Sequence, residues 1–319
     1  MKRSLHAAAW KCLAFALLTI TGVQTAQSQP LKKNFFEAGI TVGPSNFLGD
    51  LGGTSGRGMT FLKDNNFPTT KLMGGAFITY HPNAYFGIRL AANIGQLAGD
   101  DALIKGKGGM EEARKIRNAN FKSNIQEVFV AAEIYPSVIL EGTPDVTAYK
   151  FRPYALIGVG AFHFNPQGKD LTTGQWINLR DLRTEGQGFN EFPDRKVYKL
   201  TQINIPMGVG VKYYVSERLS MSLEIVHRKT FTDYIDDVST TYIDPALYYN
   251  YMSPEQAQYA ERLANKTDAS GVASSTFGAG DQRGNPYQND SYYSVGFKVN
   301  IKLGNADRWR NSTRCPIRF

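Results

Sequence analysis

The sequence predicts an all-β fold: one eight-stranded antiparallel β-barrel that crosses an outer membrane, with long outer loops and short periplasmic turns. Three observations point there. Several segments of roughly 10 residues or more alternate strictly between apolar and polar side chains, longer than the ~5–6 residues usual in soluble sheets and near the ~9–11 that cross a bilayer. The connections between them alternate long and short around an even strand count, the pattern of bacterial outer-membrane barrels. The chain also opens with an export signal, yet no later apolar run reaches the ~18 residues of a membrane helix.

In that signal, Lys2, Arg3 and Lys11 lead into the apolar run Cys12–Val23, and Ala26 and Ser28 suit a signal-peptidase site. Residues 1–28 are therefore expected to be removed. Residues 29–304 then form the barrel, and 305–319 form a C-terminal tail. Cys12 lacks the small-residue context of a lipoprotein cleavage site, which argues against lipidation.

The first strand occupies Asn34–Gly43, with Phe36, Ala38, Ile40 and Val42 on one face; Pro44–Thr70, rich in Gly, Asn and Asp, reads as a loop. Leu72, Gly74, Ala76, Ile78 and Tyr80 mark the second strand. The turn His81-Pro82-Asn83 leads into the third, where Phe86, Ile88, Leu90, Ala92 and Ile94 oppose Arg89 and Asn93. Gly99–Asn120 is charged, with helical turns expected over Glu111–Asn118. In the fourth strand Val128, Val130, Ala132 and Ile134 oppose Glu127 and Glu133. The fifth, Arg152–Phe164, is apolar on both faces, so its outward side is left open.

After a polar loop, Asn165–Lys199, comes the clearest hairpin. Ile203, Ile205, Met207, Val209, Val211 and Tyr213 share one face, with Gln202, Asn204, Gly208, Gly210 and Lys212 on the other. Beyond the turn Val215–Arg218, Leu219, Met221, Leu223 and Ile225 oppose Ser220, Ser222, Glu224 and Arg228. Thr232–Asp290 is the longest loop, with a helix expected over Pro254–Ala264 and capped by Ser253. The last strand, Tyr292–Leu303, sets Tyr293, Val295, Phe297, Val299 and Ile301 against Ser294, Lys298 and Asn300.

An even count returns the chain to its starting side, which places both termini in the periplasm. Aromatics gather at the expected strand ends: Tyr80, Tyr85, Tyr135, Tyr213 and Tyr214 on the periplasmic side, Phe231, Tyr234, Tyr292 and Tyr293 on the outer side. They read as two girdles at the headgroup layers.

Composition agrees without deciding. A hydrophobic content of 42% with 31 glycines and a mean hydropathy of −0.32 suits strands that are half polar, and a secreted sandwich shares those values. Loss of the signal leaves 33 basic against 28 acidic residues, or +5, spread without the basic stripe and interleaved aromatics of nucleic-acid binding.

Eight strands enclose an interior that side chains just fill. Arg89, Glu127, Glu133, Glu224, Arg228 and Lys298 are the charges expected inside, pairing as a structural plug, with a proton path or narrow pore as the lesser alternative. No enzyme is expected. His163 and His227 lie far from Ser220 and Ser222, and no metal or phosphate motif is present. The doublets Asp100-Asp101 and Asp236-Asp237 read as solvated carboxylates ahead of a weak cation site. No cofactor is implied. Cys315 is the one cysteine left after cleavage, open to an intermolecular disulfide, a reactive thiol or an inert role. Trp309 beside it is a candidate aromatic anchor for a partner.

Four segments carry a family resemblance: LRDLRTEGQG (179–188), YKLTQINIPMGVGVKYYVSERLSMSLEIVHRKTFTDYIDDVS (198–239), QRGNPYQNDSYYSVGFKVNIKLG (282–304) and RCPIRF (314–319). They resemble PorG-like outer-membrane proteins of the type IX secretion system, most specifically at RKTFTDYIDD and QRGNP. The resemblance implies a barrel in the outer-membrane lipid, associated with the periplasmic ring lipoprotein PorK and its ring partner PorN. It implies a non-enzymatic anchor for a machine that exports proteins. The alternative is a free-standing barrel for adhesion or small-solute passage. On the anchor reading, Cys315 and Trp309 in the tail contact the ring.

Overall fold

The computed structural model describes residues 34–52, 67–104, 111–141, 150–271 and 276–303. Its strands are β1 (Phe35–Leu48), β2 (Lys71–His81), β3 (Phe86–Asp100), β4 (Asn120–Ile134), β5 (Phe151–His163), β6 (Pro166–Lys169), β7 (Trp176–Asn178), β8 (Thr201–Tyr214), β9 (Leu219–Thr230) and β10 (Ser291–Leu303). Eight of them form the wall of an up-and-down antiparallel barrel, each hydrogen-bonded to the next in the chain, with β5 passing directly to β8. Closure comes from β1 and β10, which pair from Phe36↔Leu303 to Leu48↔Ser291. The short β6 and β7 form a side hairpin that continues the edge of β4.

The wall strands run from 11 residues in β2 to 15 in β3 and β4, long enough to cross a bilayer and extend beyond it. Their outward side chains are apolar and exposed on every strand, among them Ile40, Ile78, Leu90, Val130, Ile157, Val209, Leu223 and Phe297. A continuous belt of this kind is far larger than the apolar patches a water-soluble monomer shows. Facing lipid, it needs no further cover.

Both barrel-terminal strand ends, Phe35 and Leu303, lie at the end closed by the tight connections 82–85 and 215–218. The long connections, 49–70, 101–119, 164–200 and 231–290, all emerge at the other end. Parity and loop alternation are therefore as the sequence predicts. Asn83 fixes the first tight turn by accepting from Tyr85 N and Phe86 N.

Several expected boundaries move, the larger shifts at the long-loop end; at the other end β2 runs one residue further, through His81. β1 does not stop at Pro44: Ser45–Leu48 continue the ladder with β10. A proline removes one ladder donor, but neighbours on both sides carry the strand past it, and Ser45 Oγ donates to Lys71 O and Gln96 O. β3 and β4 likewise extend to Asp100 and from Asn120. In this region the inward residues Phe47, Leu97, Phe121, Ile125 and Phe162 turn apolar and join a core formed with the long loops. In β5, Arg152, Tyr154, Leu156 and Phe162 point in, whereas Ile157 and Val159 point out.

The described parts of the long connections are folded. Two helices there are expected from the sequence, α1 (Glu111–Arg117) and α4 (Pro254–Ala264); a third, α3 (Ala246–Tyr251), is not, nor is α2 (Pro136–Glu141), which lies at the opposite, tight-turn end between β4 and β5. Ser253 caps α4 by accepting from Gln256 N at 3.3 Å, and Ala257, Ala260, Leu263 and Ala264 form its buried face. Asn165–Lys199, expected as a polar loop, contains the β6–β7 hairpin and buries Thr184, Glu185 and Gln187.

The girdles need correction. Phe36 with Tyr80, and Phe151 with Tyr213, form aromatic pairs at the tight-turn end, with Phe36 and Phe151 exposed. Tyr135 and Tyr292 are fully buried instead, and Tyr198 stacks on Tyr234 within the cap at 4.8 Å. Aromatic clustering at strand ends therefore reflects interior packing as well as headgroup contact.

The lipid face gives a direct test. Leu223 is 58% exposed between Val211 and Phe297. Leu223→Arg should destabilise the membrane-inserted barrel by ~2–4 kcal/mol, measured by denaturant unfolding in lipid vesicles, with Leu223→Ala costing far less.

Candidate functional site

Two buried polar systems fill the barrel and its cap. The first lies inside the wall. All six lumen charges expected from sequence are buried there: Arg89, Glu127, Glu133, Glu224, Arg228 and Lys298. Alternation explains the placement, since each shares its strand's polar face. Arg89 bridges Glu133 and Glu224, the latter at 2.7 Å. Glu224 also accepts from Tyr154 OH at 2.7 Å and Lys298 Nζ at 3.3 Å. Nearer the cap, Glu127 accepts from Asn204 Nδ2 at 2.7 Å, Asn93 Nδ2 at 2.8 Å and both Nε and Nη2 of Arg228 at 3.3 Å.

The network continues to residues outside the six. At the tight-turn end Lys212 Nζ donates to Glu37 Oε2 at 2.6 Å and to Tyr135 OH at 2.9 Å. His81, expected in the turn, is instead the last residue of β2 and is fully buried, with Nε2 3.3 Å from the same Glu37 oxygen. Parity carried the signal: Glu37 opposes Phe36 and Ala38, and Lys212 was already on the polar face of its hairpin. A cavity of about 20 Å³ lies between Arg89, Glu224, Arg228 and Lys298, room for roughly one water. This lumen is a filled plug.

The second system lies in the cap, centred on Arg283. Its Nη1 donates to Glu185 Oε1 at 2.9 Å, to Asp237 O at 2.6 Å and to Thr184 Oγ1 at 3.2 Å, and its Nε donates to Ala264 O at 3.2 Å. Glu185 in turn accepts from Ser239 N at 2.9 Å, Thr240 N at 3.0 Å and Thr240 Oγ1 at 2.7 Å. Asp237 accepts from Thr184 Oγ1 and from Tyr198 OH, the latter at 2.7 Å. Segments LRDLRTEGQG, RKTFTDYIDD and QRGNP thus meet on one guanidinium.

Backbone shape explains two of their glycines. Gly186 has φ +73°, which favours glycine. At Gly284 a Cβ would sit 2.5 Å from Asp50 Oδ2 and 2.7 Å from Ser239 N, so a side chain would separate the segments.

Arg117 supports the same region. It donates to Asp101 through Nε at 2.7 Å, to Arg283 O and to Asp50 O, both at 2.6 Å. The doublets Asp100-Asp101 and Asp236-Asp237 are therefore not solvated pairs: Asp101, Asp236 and Asp237 are wholly buried. Sequence distance hid their partners. Burial pushes the Asp237 carboxyl up to about 6, against the opposing pull of Arg283 and the Thr184 and Tyr198 hydroxyls. Burial, then Arg283, bring Lys266 down to about 7.

The tail residues Cys315 and Trp309 and the signal 1–28 lie outside the described residues. Among the described residues no set of three or more His, Cys, Asp or Glu side chains is arranged, as it stands, to hold a metal ion.

A family model described as a domain of unknown function (DUF6089) matches residues 13–244. No curated protein matches the sequence. Among solved structures, the chain is similar to Ail, the attachment invasion locus protein of Yersinia pestis, solved with the heparin analogue sucrose octasulfate. The identity is 6% over 84% of this chain and 99% of that one, with a TM-score of 0.35. Neisserial surface protein A is similar at 9% identity over 85% and 100% of the chains, TM-score 0.35. A major outer membrane protein of Thermus thermophilus is similar at 12% over 85% and 100%, TM-score 0.34.

Two outcomes test the hub. Arg283→Met strands Glu185 and Asp237 as buried charges and should loosen the cap by about 3–5 kcal/mol; hydrogen exchange should rise at 184–188 and 235–240 while the wall strands stay protected. The second is a pH dependence. Because the folded Asp237 value lies above the ordinary carboxylate ~3.9, its contribution is complete below that pH and is lost as pH rises through about 6. In metal-free buffer, cap protection corrected for intrinsic exchange should therefore fall between pH 4 and about 6, and Asp237→Asn should flatten the slope.

Proposed function

The chain belongs to the DUF6089 family, whose function is not defined; from the PorG-like segments we propose that it is a non-enzymatic outer-membrane component of the type IX protein secretion machine, anchoring the periplasmic ring. The observation that carries this reading is the meeting of three PorG-like segments on Arg283. Residues scattered from 184 to 283 make one buried structure there, so the segments that carry the resemblance are also the ones that build the cap. The filled lumen supports it too, because an anchor needs a continuous wall and no passage.

In this reading the apolar belt sits in outer-membrane lipid, and the tight-turn end, from which both barrel-terminal strands emerge, faces the periplasm. The ring lipoprotein of the PorK kind and its PorN-like partner dock at that end. The tail 305–319 supplies the contact, through Cys315 and Trp309. A second reading, a free-standing barrel used in adhesion, is favoured by the cap that the described parts of the long connections build. Small-solute passage is disfavoured by the paired lumen charges.

Deleting the gene separates the two readings. The anchor predicts that secreted cargo accumulates inside the cell, and normal secretion with lost surface attachment points to adhesion. For the tail, non-reducing gels of wild-type and Cys315→Ser cells should differ by one high-mass band containing the ring lipoprotein. Matching patterns, with Cys315 fully alkylated in wild type, would reject the contact.

A further inference from the structure

The side hairpin β6–β7 packs one face on the cap and turns the other outward. On the packed side a Cβ at Gly168 would lie 2.8 Å from Leu179 and 3.2 Å from Leu263, so cap side chains press directly on the strand and hold it in place. On the outward side β6 pairs with β4 at Lys122↔Gln167, and β7 pairs with β6 at Gln167↔Asn178 and Lys169↔Trp176. Period two therefore puts Lys122, Gln167, Lys169, Trp176 and Asn178 on one face. Lys122 Nζ lies 4.3 Å from the centre of the Trp176 ring, and Gln167 Nε2 donates to Asn178 Oδ1 at 3.0 Å. Lys169 is exposed, and Trp176 is 38% exposed.

The face is basic. The hairpin's own acid, Asp170, is buried and taken up by Thr172 N, Thr173 Oγ1 and Arg262 Nη2, at 3.1, 2.9 and 3.1 Å. Asp100, at the end of β3, accepts from Ala102 N at 3.0 Å. Beside it Asn120 Oδ1 accepts from Lys169 N and from Lys266 Nζ, both at 2.9 Å, which brings a third lysine to the edge of the face. Its height above the bilayer follows from β4, whose outward residues are apolar at Ile134, Val130 and Val128 and then polar at Gln126, Asn124 and Lys122. Neighbouring strands turn polar at the same level: Gln126 opposes His163, and Gln96 Nε2 donates to Asn124 Oδ1 at 3.0 Å. Lys122 stands six residues beyond Val128, which at ~3.3 Å per residue and a tilt of ~40° lifts it about 15 Å above the apolar belt. A phospholipid headgroup layer is only ~5–8 Å deep.

We propose that this face binds the phosphorylated sugar headgroup of an outer-leaflet glycolipid, with Lys122 and Lys169 on phosphate, Trp176 against a sugar ring, and Gln167 and Asn178 on hydroxyls. Three features select that occupant. The face continues the lipid-facing wall upward, so a molecule anchored in the adjoining leaflet reaches it without leaving the membrane. Its charge suits an anion, and lysine meets phosphate as a point charge. Its height lies beyond the phosphates of ordinary phospholipids, whereas a headgroup built of sugars extends that far. The remaining side chains match a sugar: an aromatic ring packs on its C–H surface, and amides exchange hydrogen bonds with its hydroxyls. The site is independent of ring docking and rests only on the orientation given above, with the long connections outside.

With Trp10→Phe and Trp309→Phe, Trp176 is the one tryptophan left in the chain. In detergent its emission should shift and saturate as lipopolysaccharide is added, while phosphatidylglycerol, an acidic lipid without a sugar, should leave it unmoved. Dephosphorylated lipopolysaccharide should bind at least tenfold more weakly. Lys122→Gln and Lys169→Gln together should weaken binding tenfold or more, whereas Lys229→Gln, on the outward face of β9, should not. The unsubstituted protein gives an independent reading: lipopolysaccharide should slow hydrogen exchange at 166–178 at least threefold. Emission and exchange both unchanged by lipopolysaccharide, an equal response to phosphatidylglycerol, or equal binding by the double lysine variant would overturn the site. Labelling of Tyr287→Cys, a 95% exposed position on a long connection, by an impermeant maleimide on intact cells reads the orientation by itself. Absence of that label would overturn the outer-leaflet placement and leave the binding measurement standing.

Discussion

Every main-chain N–H and C=O that enters a bilayer must find its partner within the protein, and the β1–β10 pairing is where this chain meets that constraint. The other seven seams follow from sequential hairpins and their outer-loop counterparts. The last seam joins residues far apart in sequence, and without it two strand edges would face lipid. Closure then dictates what the interior can be. Eight strands leave so little room that inward side chains must fill it themselves.

That forced filling explains the lumen chemistry. Glu37, Glu127, Glu133 and Glu224 cannot reach bulk water, so each is met by a cation: Lys212, Arg228, and Arg89 between the last two. Tyr135, Tyr154 and Tyr292 donate into the same carboxylates, which couples the charge network to the aromatic packing. A lumen satisfied in this way has few groups left to bind or move a solute. Distinctive chemistry is displaced to the barrel ends.

At the long-loop end the strands continue as inward apolar residues, and the loops close over them with a core of their own. Arg283 then joins segments that lie on different connections. The same enclosure that strengthens its contacts with Glu185 and Asp237 buries Asp233 and Asp290 among like charges, with oxygens that no described residue meets in hydrogen-bond geometry. Low local polarity favours paired groups and penalises unpaired ones. The cap shows both sides of that rule within one fold.

The wall was legible in the sequence because its rule is local. Period-two alternation placed Ile203 to Tyr213 outward and Glu224, Arg228 and Lys298 inward, and loop lengths set which end carries the cap. Where both faces are apolar, as in Arg152–Phe164, or where Pro44 interrupts the ladder, the local rule loses its information and neighbouring strands decide. The cap was not legible for a related reason. Asp101, Asp236 and Asp237 look like solvated loop carboxylates until the chain brings Arg117, Arg283 and Tyr198 to them across tens of residues. Charge pairing depends on distance in space, and a sequence reports only distance along the chain. The sequence alone therefore determined the barrel, its strand count and the facing of its lumen charges, whereas only the tertiary structure decided which buried carboxylates meet a cation and which meet one another.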